Sequence, residues 1–427
     1  MRFLRVLLVQ ILTWEARMVL YRHAPKIIAV TGSVGKTTTK DAIYAAVSSR
    51  LRVRRSEKSF NSEIGVPLTI LGLTNPWSNP FLWLSAFVRG LLAIFAKSYP
   101  EWLILEVGAD RPGDIRSIAA WLKPDIVVFT GVPSIPVHVE YFDSPEAVFR
   151  EKRALIEYLK PGGSLILNGD DIRAKDLKAE FRGLTTTYGF EEGCDFIASR
   201  EAIEYADGPT GFYVRVDHAG SSVPLSVKGA LGRPRIYGAL AALAVAHAIE
   251  IDIVSAASAL AAWIPPPGRM RIVEGKDGST IIDDTYNSSP VAALSALDTL
   301  KDVQGKRKIA VLGDMMELGK FSASAHRTVG ERVAQCADML VTLGFRARAI
   351  AEAALDAGMM EKNILQFEQN EAVRAGHEIA ALVGEGDIIL VKGSQSMRME
   401  RTVQLLMKHP EQAKDLLVRQ DTKWITR

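Results

Sequence analysis

Cysteine is nearly missing from this chain: Cys194 and Cys336 are the only two in 427 residues. They are too few for a disulfide framework or a four-ligand zinc site, so a reducing compartment suits the protein. An excess of charge of one sign is missing too. Fifty-two Lys and Arg stand against 49 Asp and Glu, a formal net charge of +3. That balance denies the chain the broad positive field on which nucleic-acid binders depend, and nucleic acid is not an expected partner. Acidic ligands can still be met locally. No apolar run is long enough to cross a bilayer. The opening stretch MRFLRVLLVQILTWEARMVLYRHAPK has arginines ahead of apolar residues, but Glu15 and Arg17 interrupt the run that begins at Val6, and no small-x-small cleavage pattern follows. Residues 1–25 read as an apolar helix and not as a leader. There is no internal repeat and no low-complexity tract.

What is present is alternation. A prior of about 150 residues per domain suggests two domains. From Lys26 onward, short β-branched runs (KIIAV, EWLILEVGA, PDIVVFTG, GSLILNGDD) alternate with helical segments, the first over Lys40 to Ser49. Such a pattern predicts a mainly parallel sheet covered by helices. FIASREAIEY and GFYVRVD predict an antiparallel patch between Cys194 and Val227, and an alanine-rich helix follows over Tyr237 to Ala262. Three prolines in PPPG, residues 265–268, cannot continue a helix and mark a hinge. A second α/β set begins beyond it, in STIIDDTYN, RKIAVLGDMMELG, ADMLVTLG and GDIILVKGS. The expected division is residues 26–264 and 265–427. Each strand ends in Gly, Asp or Ser, and in open α/β sheets ligands sit beyond the carboxyl ends of strands.

The segment IIAVTGSVGKTTTK, residues 27–40, carries the sharpest chemistry. Gly32, Ser33 and Gly35 form a turn that can bring backbone N–H groups to phosphate oxygens at a helix N-terminus. Lys36 is placed for the β and γ phosphates, Thr37 for Mg²⁺, and Thr38 follows on the same helix. The common pattern G-x-x-x-x-G-K-[ST] needs glycine where this chain has Val30, so GSVGKT is a shortened variant. A nucleoside triphosphate is implied, with ATP and GTP both open on position alone. Glu106 closes a buried strand where a lone carboxylate is costly without a cation. His138 is a loop histidine, ordinarily surface or hydrogen-bonded. Lys152 lies on a helix, where most lysines are solvated.

Taken together, TGSVGKTTTK, FNSEIGVPLTIL, LEVGADRPGDI, GRM, DDTYNSSP, VLGDMMELG and VKGSQSMRME resemble the Mur ligases, which form amide bonds on cell-wall precursors using ATP. The motifs stand in the family's order over roughly residues 26–405, and DDTYNSSP with LGDMMELG points to its dipeptide-adding branch. The resemblance implies a fold: a P-loop parallel-sheet ATPase domain followed by a Rossmann-like C-terminal domain. It implies ATP and two Mg²⁺ ions as cofactors, with Thr37, Glu106, His138 and a carbamylated Lys152 as metal ligands and Lys36, Lys152 and His138 as catalytic residues. Asp284, with Asp283 beside it, matches a residue that meets the nucleotide ribose, and Tyr286 and Asn287 match its neighbours. Lys392 and Ser394 lie in a matching strand-end loop, and His326 matches a family histidine. The implied partners are a muramoyl-peptide carboxylate and an amine such as D-alanyl-D-alanine, joined in a cytoplasmic, monomeric enzyme through an acyl phosphate.

Three departures stand beside this likeness. The family's usual first domain, which grips the UDP of the substrate, has no counterpart before the first strand. Where the family carries His and Asn after a glycine and a further Asn that helps hold the adenine, this chain has Pro234, Arg235 and Gly238. An extra apolar piece, NPFLWLSAFVRGLLAIFAKSYP, places Leu84, Phe87, Val88, Leu91 and Phe95 at helical spacing, with Arg89 in its middle. It is expected to pack on the N-terminal helix, to lie in a membrane interface, or both. Membrane contact through residues 1–22 and 80–97 would suit a lipid-linked acceptor in place of a UDP-linked one. Glutamyl ligases of other polyamides and a non-catalytic ATP-binding subunit are the rival readings.

Overall fold

The computed structural model describes residues 2–56, 59–77, 79–421 and Trp424. Met1 and residues 425–427, which the expected divisions include, lie outside the described residues. The first sheet has nine strands: β1 (Lys26–Thr31), β2 (Val53–Arg55), β3 (Trp102–Glu106), β4 (Ile126–Phe129), β5 (Ser164–Asn168), β6 (Leu184–Gly189), β7 (Phe196–Tyr205), β8 (Pro209–His218) and β9 (Ser221–Lys228). Their order is β2-β3-β1-β4-β5-β6-β7-β8-β9, parallel as far as β7 and antiparallel after it. The expected antiparallel patch is therefore the edge of the main sheet and not a separate layer.

Strand alternation sends successive residues to opposite faces. Ala29, Leu105, Val127 and Phe129 join one core with helices α1 (Arg2–His23), α3 (Gly65–Leu71), α4 (Pro80–Ile94), α5 (Asp114–Leu122) and α6 (Pro145–Glu157). Ile28, Val30, Ile104 and Val128 join the other with α2 (Lys36–Val47), α8 (Arg233–Ala248) and α9 (Ile253–Ala261), while α7 (Ile172–Glu180) lies beside β5. Two helix expectations need correction. The first helix begins at Lys36, not Lys40, because Gly35 in the left-handed region (φ 80°) starts it at once. The alanine-rich stretch is two helices, since Asp252 caps a new one by accepting a hydrogen bond from the Ser255 N–H at 2.8 Å.

The second sheet contains β10 (Arg271–Glu274), β11 (Thr280–Asp284), β12 (Arg307–Gly313), β13 (Met339–Leu343), β14 (Ile364–Phe367) and β15 (Asp387–Lys392) in the order β10-β11-β15-β12-β13-β14. Only β10 is antiparallel among them. Helices α10 (Pro290–Asp302), α11 (Ser322–Val333), α12 (Arg348–Asp356), α13 (Ala372–Ala380) and α14 (Glu400–Leu406) cover its two faces. The proline run joins α9 to β10.

Helix α1 packs between the sheet's helices and α4, burying Leu12, Ala16 and Val19. Glu15 is buried with them, one carboxylate oxygen lying over Gly90 of α4 with no hydrogen-bond partner. Burial pushes its carboxyl up to about 7 from an ordinary 4.5. A folded-state value above the unfolded one gives stability that is complete below the unfolded value and lost as pH rises through the folded one. Glu15→Leu is therefore expected to stabilise the protein by about 1–3 kcal/mol at a pH of about 8, and by less at about 5. Urea midpoints at the two pH values check this.

Candidate active site

Strand β1 lies between β3 and β4, so the loop that follows it opens at the point where the chain's crossovers change direction. In the register, Val30 stands beside Glu106 and Thr31 beside Phe129, which brings the ends of three strands to the glycine loop. Gly32 adopts φ 136°, and any Cβ there would strike the Thr130 hydroxyl. Gly35 has no capping side chain, so the first N–H groups of α2 point out of the helix end. The Ser33 hydroxyl is buried without a hydrogen-bond partner in the same loop. An uncapped helix start with an orphaned hydroxyl fits an anion with several acceptor oxygens, such as a polyphosphate. Lys36 belongs to this cradle. Burial lowers its amine from the ordinary lysine range, with Glu106 acting in the opposite sense.

Around Thr37 the side chains converge. Its hydroxyl donates to Glu106 Oε2 at 2.8 Å and stands 2.9 Å from Ser59 Oγ. Glu106 is buried and also accepts from Asn61 Nδ2 at 3.1 Å. Across the gap, the Arg269 guanidinium reaches from the second sheet's side to donate to the Thr37 hydroxyl at 3.0 Å, with its plane over the Tyr286 ring at 4.0 Å. A cationic group thus already sits against a hydroxyl and carboxylate set of the kind a hard divalent ion prefers. Among the described residues no three His, Cys, Asp or Glu side chains group to hold a metal, so an ion here would lean on hydroxyl and nucleotide oxygens, as Mg²⁺ does.

His138 lines the same cavity from the left-handed region (φ 66°). Its Nδ1 lies 2.7 Å from Glu317 Oε2, close enough to pair although outside hydrogen-bond geometry, and its Nε2 lies 3.8 Å from Asp110. Because Glu317 follows β12, this pair bridges the two sheets, and the Glu140 N–H donates to the Glu317 carbonyl beside it at 3.4 Å. The histidine beside it holds the Glu317 carboxyl below its usual range. Lys152, on α6, is 1% exposed and does not reach the cavity lining. Among the described residues no carboxylate pairs with it within 4 Å, and burial, reinforced by the charge of Lys36, brings its amine down to about 7.

The second sheet's contribution comes from strand ends. Asp284 Oδ2 accepts from Lys392 Nζ at 2.6 Å, and its other oxygen accepts from the Met270 N–H at 3.1 Å. Lys392 also donates to the Asn287 carbonyl at 3.0 Å. Asp284, Tyr286, Asn287 and Lys392 all line the cavity, as do Ser33, Gly35, Thr37 and Thr38. Asp283 does not, contrary to expectation. One residue along a strand reverses the face, and Asp283 is buried, accepting from the Gly268 N–H at 3.0 Å and the Thr285 hydroxyl at 2.6 Å. Burial raises it to about 6. Its place is under the proline turn. Gly32 likewise stands behind the lining, as Lys152 does. His326 is buried and accepts from the Met315 N–H at 2.9 Å through Nε2, and Ser394 Oγ accepts from the Met316 N–H at 2.9 Å. Both hold the loop that carries Glu317.

The cavity between the sheets measures about 340 Å³. A smaller one of about 270 Å³ adjoins it behind Gly35, bordered by Asn168, Tyr188, Pro234 and Tyr237. Arg235 borders the first cavity but not the smaller one, its guanidinium buried against the Arg269 carbonyl and over Trp263, and burial lowers it to about 9. Gly238 lets α8 approach α2, since a Cβ there would lie 3.0 Å from Thr38. A third cavity of about 660 Å³ meets the first at Thr37, Ser59, Arg269, Tyr286 and Gln395 and extends toward Trp77 and Trp424. Ser59, Asn61, Asp110, Arg269 and Glu317 were not singled out from the sequence. Arg269 and Glu317 do lie in the GRM and MMELG motifs, which are the signal that could have found them.

The fold and the loop define a phosphate-loop protein whose nucleotide cavity is closed by a second α/β sheet. Family comparison narrows the class further. Residues 30–82 and 85–246 match the Mur ligase middle domain, and residues 268–395 match the Mur ligase, glutamate ligase domain. The chain belongs to the Mur ligase family. It is similar to the UDP-N-acetylmuramoyl-tripeptide--D-alanyl-D-alanine ligase of Bacillus subtilis (strain 168), with 28% identity over 92% of this chain and 79% of that protein. The same-named ligase of Synechocystis is 30% identical over 91% of this chain and 76% of its own length. Among solved structures, MurF ligase from Thermotoga maritima in complex with ADP superposes with a TM-score of 0.77 at 26% identity, covering 95% of this chain and 84% of that one.

Proposed function

We propose that the chain is an ATP-dependent amide ligase of cell-wall precursor synthesis, joining D-alanyl-D-alanine or a similar amine to the carboxylate of a muramoyl peptide. The observation that carries this reading is the contact of Arg269 with Thr37, which sets the second sheet's residues against the phosphate loop at the wall shared by two cavities. The nucleotide would take the first cavity, its phosphates on Ser33, Gly35 and Lys36 and its ribose at Asp284, with Tyr286 and Asn287 beside it. The acceptor carboxylate would enter from the third cavity. Attack of a carboxylate oxygen on the γ-phosphorus forms an acyl phosphate and releases ADP, and Lys36 offsets charge on the phosphoryl oxygens. The amine then adds to the acyl carbon, loses a proton, and inorganic phosphate leaves as the amide forms. The contacts His138 to Glu317 and Arg269 to Thr37 exclude water from the reactive anhydride by holding the sheets together.

Thr37 and Glu106 would hold Mg²⁺, and His138 and a carbamylated Lys152 are the residues that would serve a second ion. When bound, such ions neutralise phosphoryl charge. The near-neutral amine of Lys152 supports this assignment, because only an uncharged amine adds CO₂.

The test is phosphate release by purified protein with ATP and Mg²⁺, a UDP-muramoyl tripeptide and a panel of amines that includes D-alanyl-D-alanine. Release that requires both acceptor and amine, with a new amide seen by mass spectrometry, is expected. ATP binding without turnover for any pairing would make the chain a nucleotide-binding subunit and overturn the proposal.

A further inference from the structure

Helix α4 is built the wrong way round for a helix in water. It turns Ala86, Gly90 and Ile94 toward α1 and buries nothing else fully. Its large apolar side chains face out, with Phe81 81%, Leu84 65%, Leu92 64% and Phe95, at its C-cap, 69% exposed. The adjoining α1 exposes Trp14 and Tyr21. The two outer faces join where the Arg22 guanidinium lies over the Phe95 ring at 5.9 Å. A water-facing surface this apolar is rare on a monomer and calls for a cover.

Charge says which cover. Glu15 is the one acidic residue in either helix, and it is buried. The exposed charges of these helices and the turn after α4 are positive, Arg17, Arg22, Arg89 and Lys97, together with Arg5, which pairs with Glu63 of the neighbouring loop at 3.1 Å. A second copy of the chain laid face to face would set these cations against one another. An anionic lipid surface would instead neutralise them, and Trp and Tyr beside the apolar residues are the side chains that settle at headgroup level. No described helix is long and apolar enough to cross a membrane, and Arg89 in the middle of α4 requires the helix to lie in the interfacial plane.

We propose that the outer face of α1 and α4 docks on an anionic phospholipid bilayer, with the apolar side chains of α4 in the acyl boundary and Arg17, Arg22, Arg89 and Lys97 among the headgroups. The rim of the third cavity goes with it, because the Trp83 indole of α4 donates to the Trp77 carbonyl at 2.7 Å and Trp77 borders that cavity. On the ligase reading above, an acceptor anchored in the same bilayer would meet the cavity at the membrane surface. Docking itself is independent of that reading and is measured without turnover.

Full-length protein is sedimented with vesicles of phosphatidylcholine alone and of phosphatidylcholine mixed with phosphatidylglycerol, at low and raised salt. Binding to the mixed vesicles only, weakening as salt rises, is expected. The variant F81S/L84S/L92S changes only exposed side chains and should keep the parent's thermal transition while its partition falls about tenfold or more. R89E/K97E should fall by a similar factor, since each cation near an anionic surface contributes about 1 kcal/mol. The proposal is overturned if the parent stays in the supernatant with mixed vesicles, if it binds the neutral ones equally, or if the serine variant sediments like the parent. A dimer in sedimentation velocity that the serine variant dissolves would assign the face to a second copy and overturn it too.

Discussion

Lys36→Ala protein releases phosphate at least about 10³-fold more slowly than the parent under saturating ATP, while its thermal transition stays close to the parent's. The magnitude follows from the part that a cation plays against charge developing on a transferred phosphoryl group. Lys36 stands at the first residue of α2, within the influence of Glu106, with burial already lowering its amine. An amine held in that condition gains from a polyphosphate arriving beside it, because the new negative charge favours its protonated form. Alanine leaves the helix start and the Ser33 hydroxyl in place, so nucleotide binding should weaken far less than turnover. Equilibrium binding of a fluorescent ATP analogue beside stopped-flow phosphate release separates the two. A variant that turned over within a factor of about ten of the parent would remove the loop from the chemistry.

Lys152→Ala is expected to lower phosphate release by about 10²–10³-fold, with short carboxylic acids restoring part of it. At neutral pH an ordinary lysine is uncharged in on the order of one molecule in 10³, whereas Lys152, brought down to about 7, holds a far larger uncharged share. The direction with pH follows. A lowered amine pKa supplies the CO₂-reactive form above about 7 and loses it as pH falls below, so activity should decline on the acid side over that window. Parent protein stripped of CO₂ should lose activity and recover it with bicarbonate. A carbamate signal in carbon NMR with labelled bicarbonate should be present in the parent and absent from Lys152→Ala. Full activity in the alanine variant would sink the assignment.

The phosphate loop was legible because everything it needs is local: a buried strand, two glycines with positive φ, and a lysine and threonine at the helix start lie within a few residues of one another. Glu106 was legible because a carboxylate at the end of an apolar strand demands a partner. Adjacent acids are harder. Asp283 and Asp284 read alike in the sequence, and only the direction of the pleat decides that one enters the cavity while the other supports Gly268. Arg269 and Glu317 escaped assignment because their partners, Thr37 and His138, stand far away along the chain and meet them only when the second sheet lies over the first. For α4 the stripe at helical spacing gave no direction, since nearly every position is apolar. The small residues Ala86 and Gly90 mark the packed side, and of the named stripe Leu84, Val88, Leu91 and Phe95 are exposed while Phe87 is partly buried against the core.

The first and third cavities share a wall at Thr37, Ser59, Arg269, Tyr286 and Gln395. Side chains in that wall face both spaces at once, so a substitution at Arg269 or Gln395 alters the two cavities together.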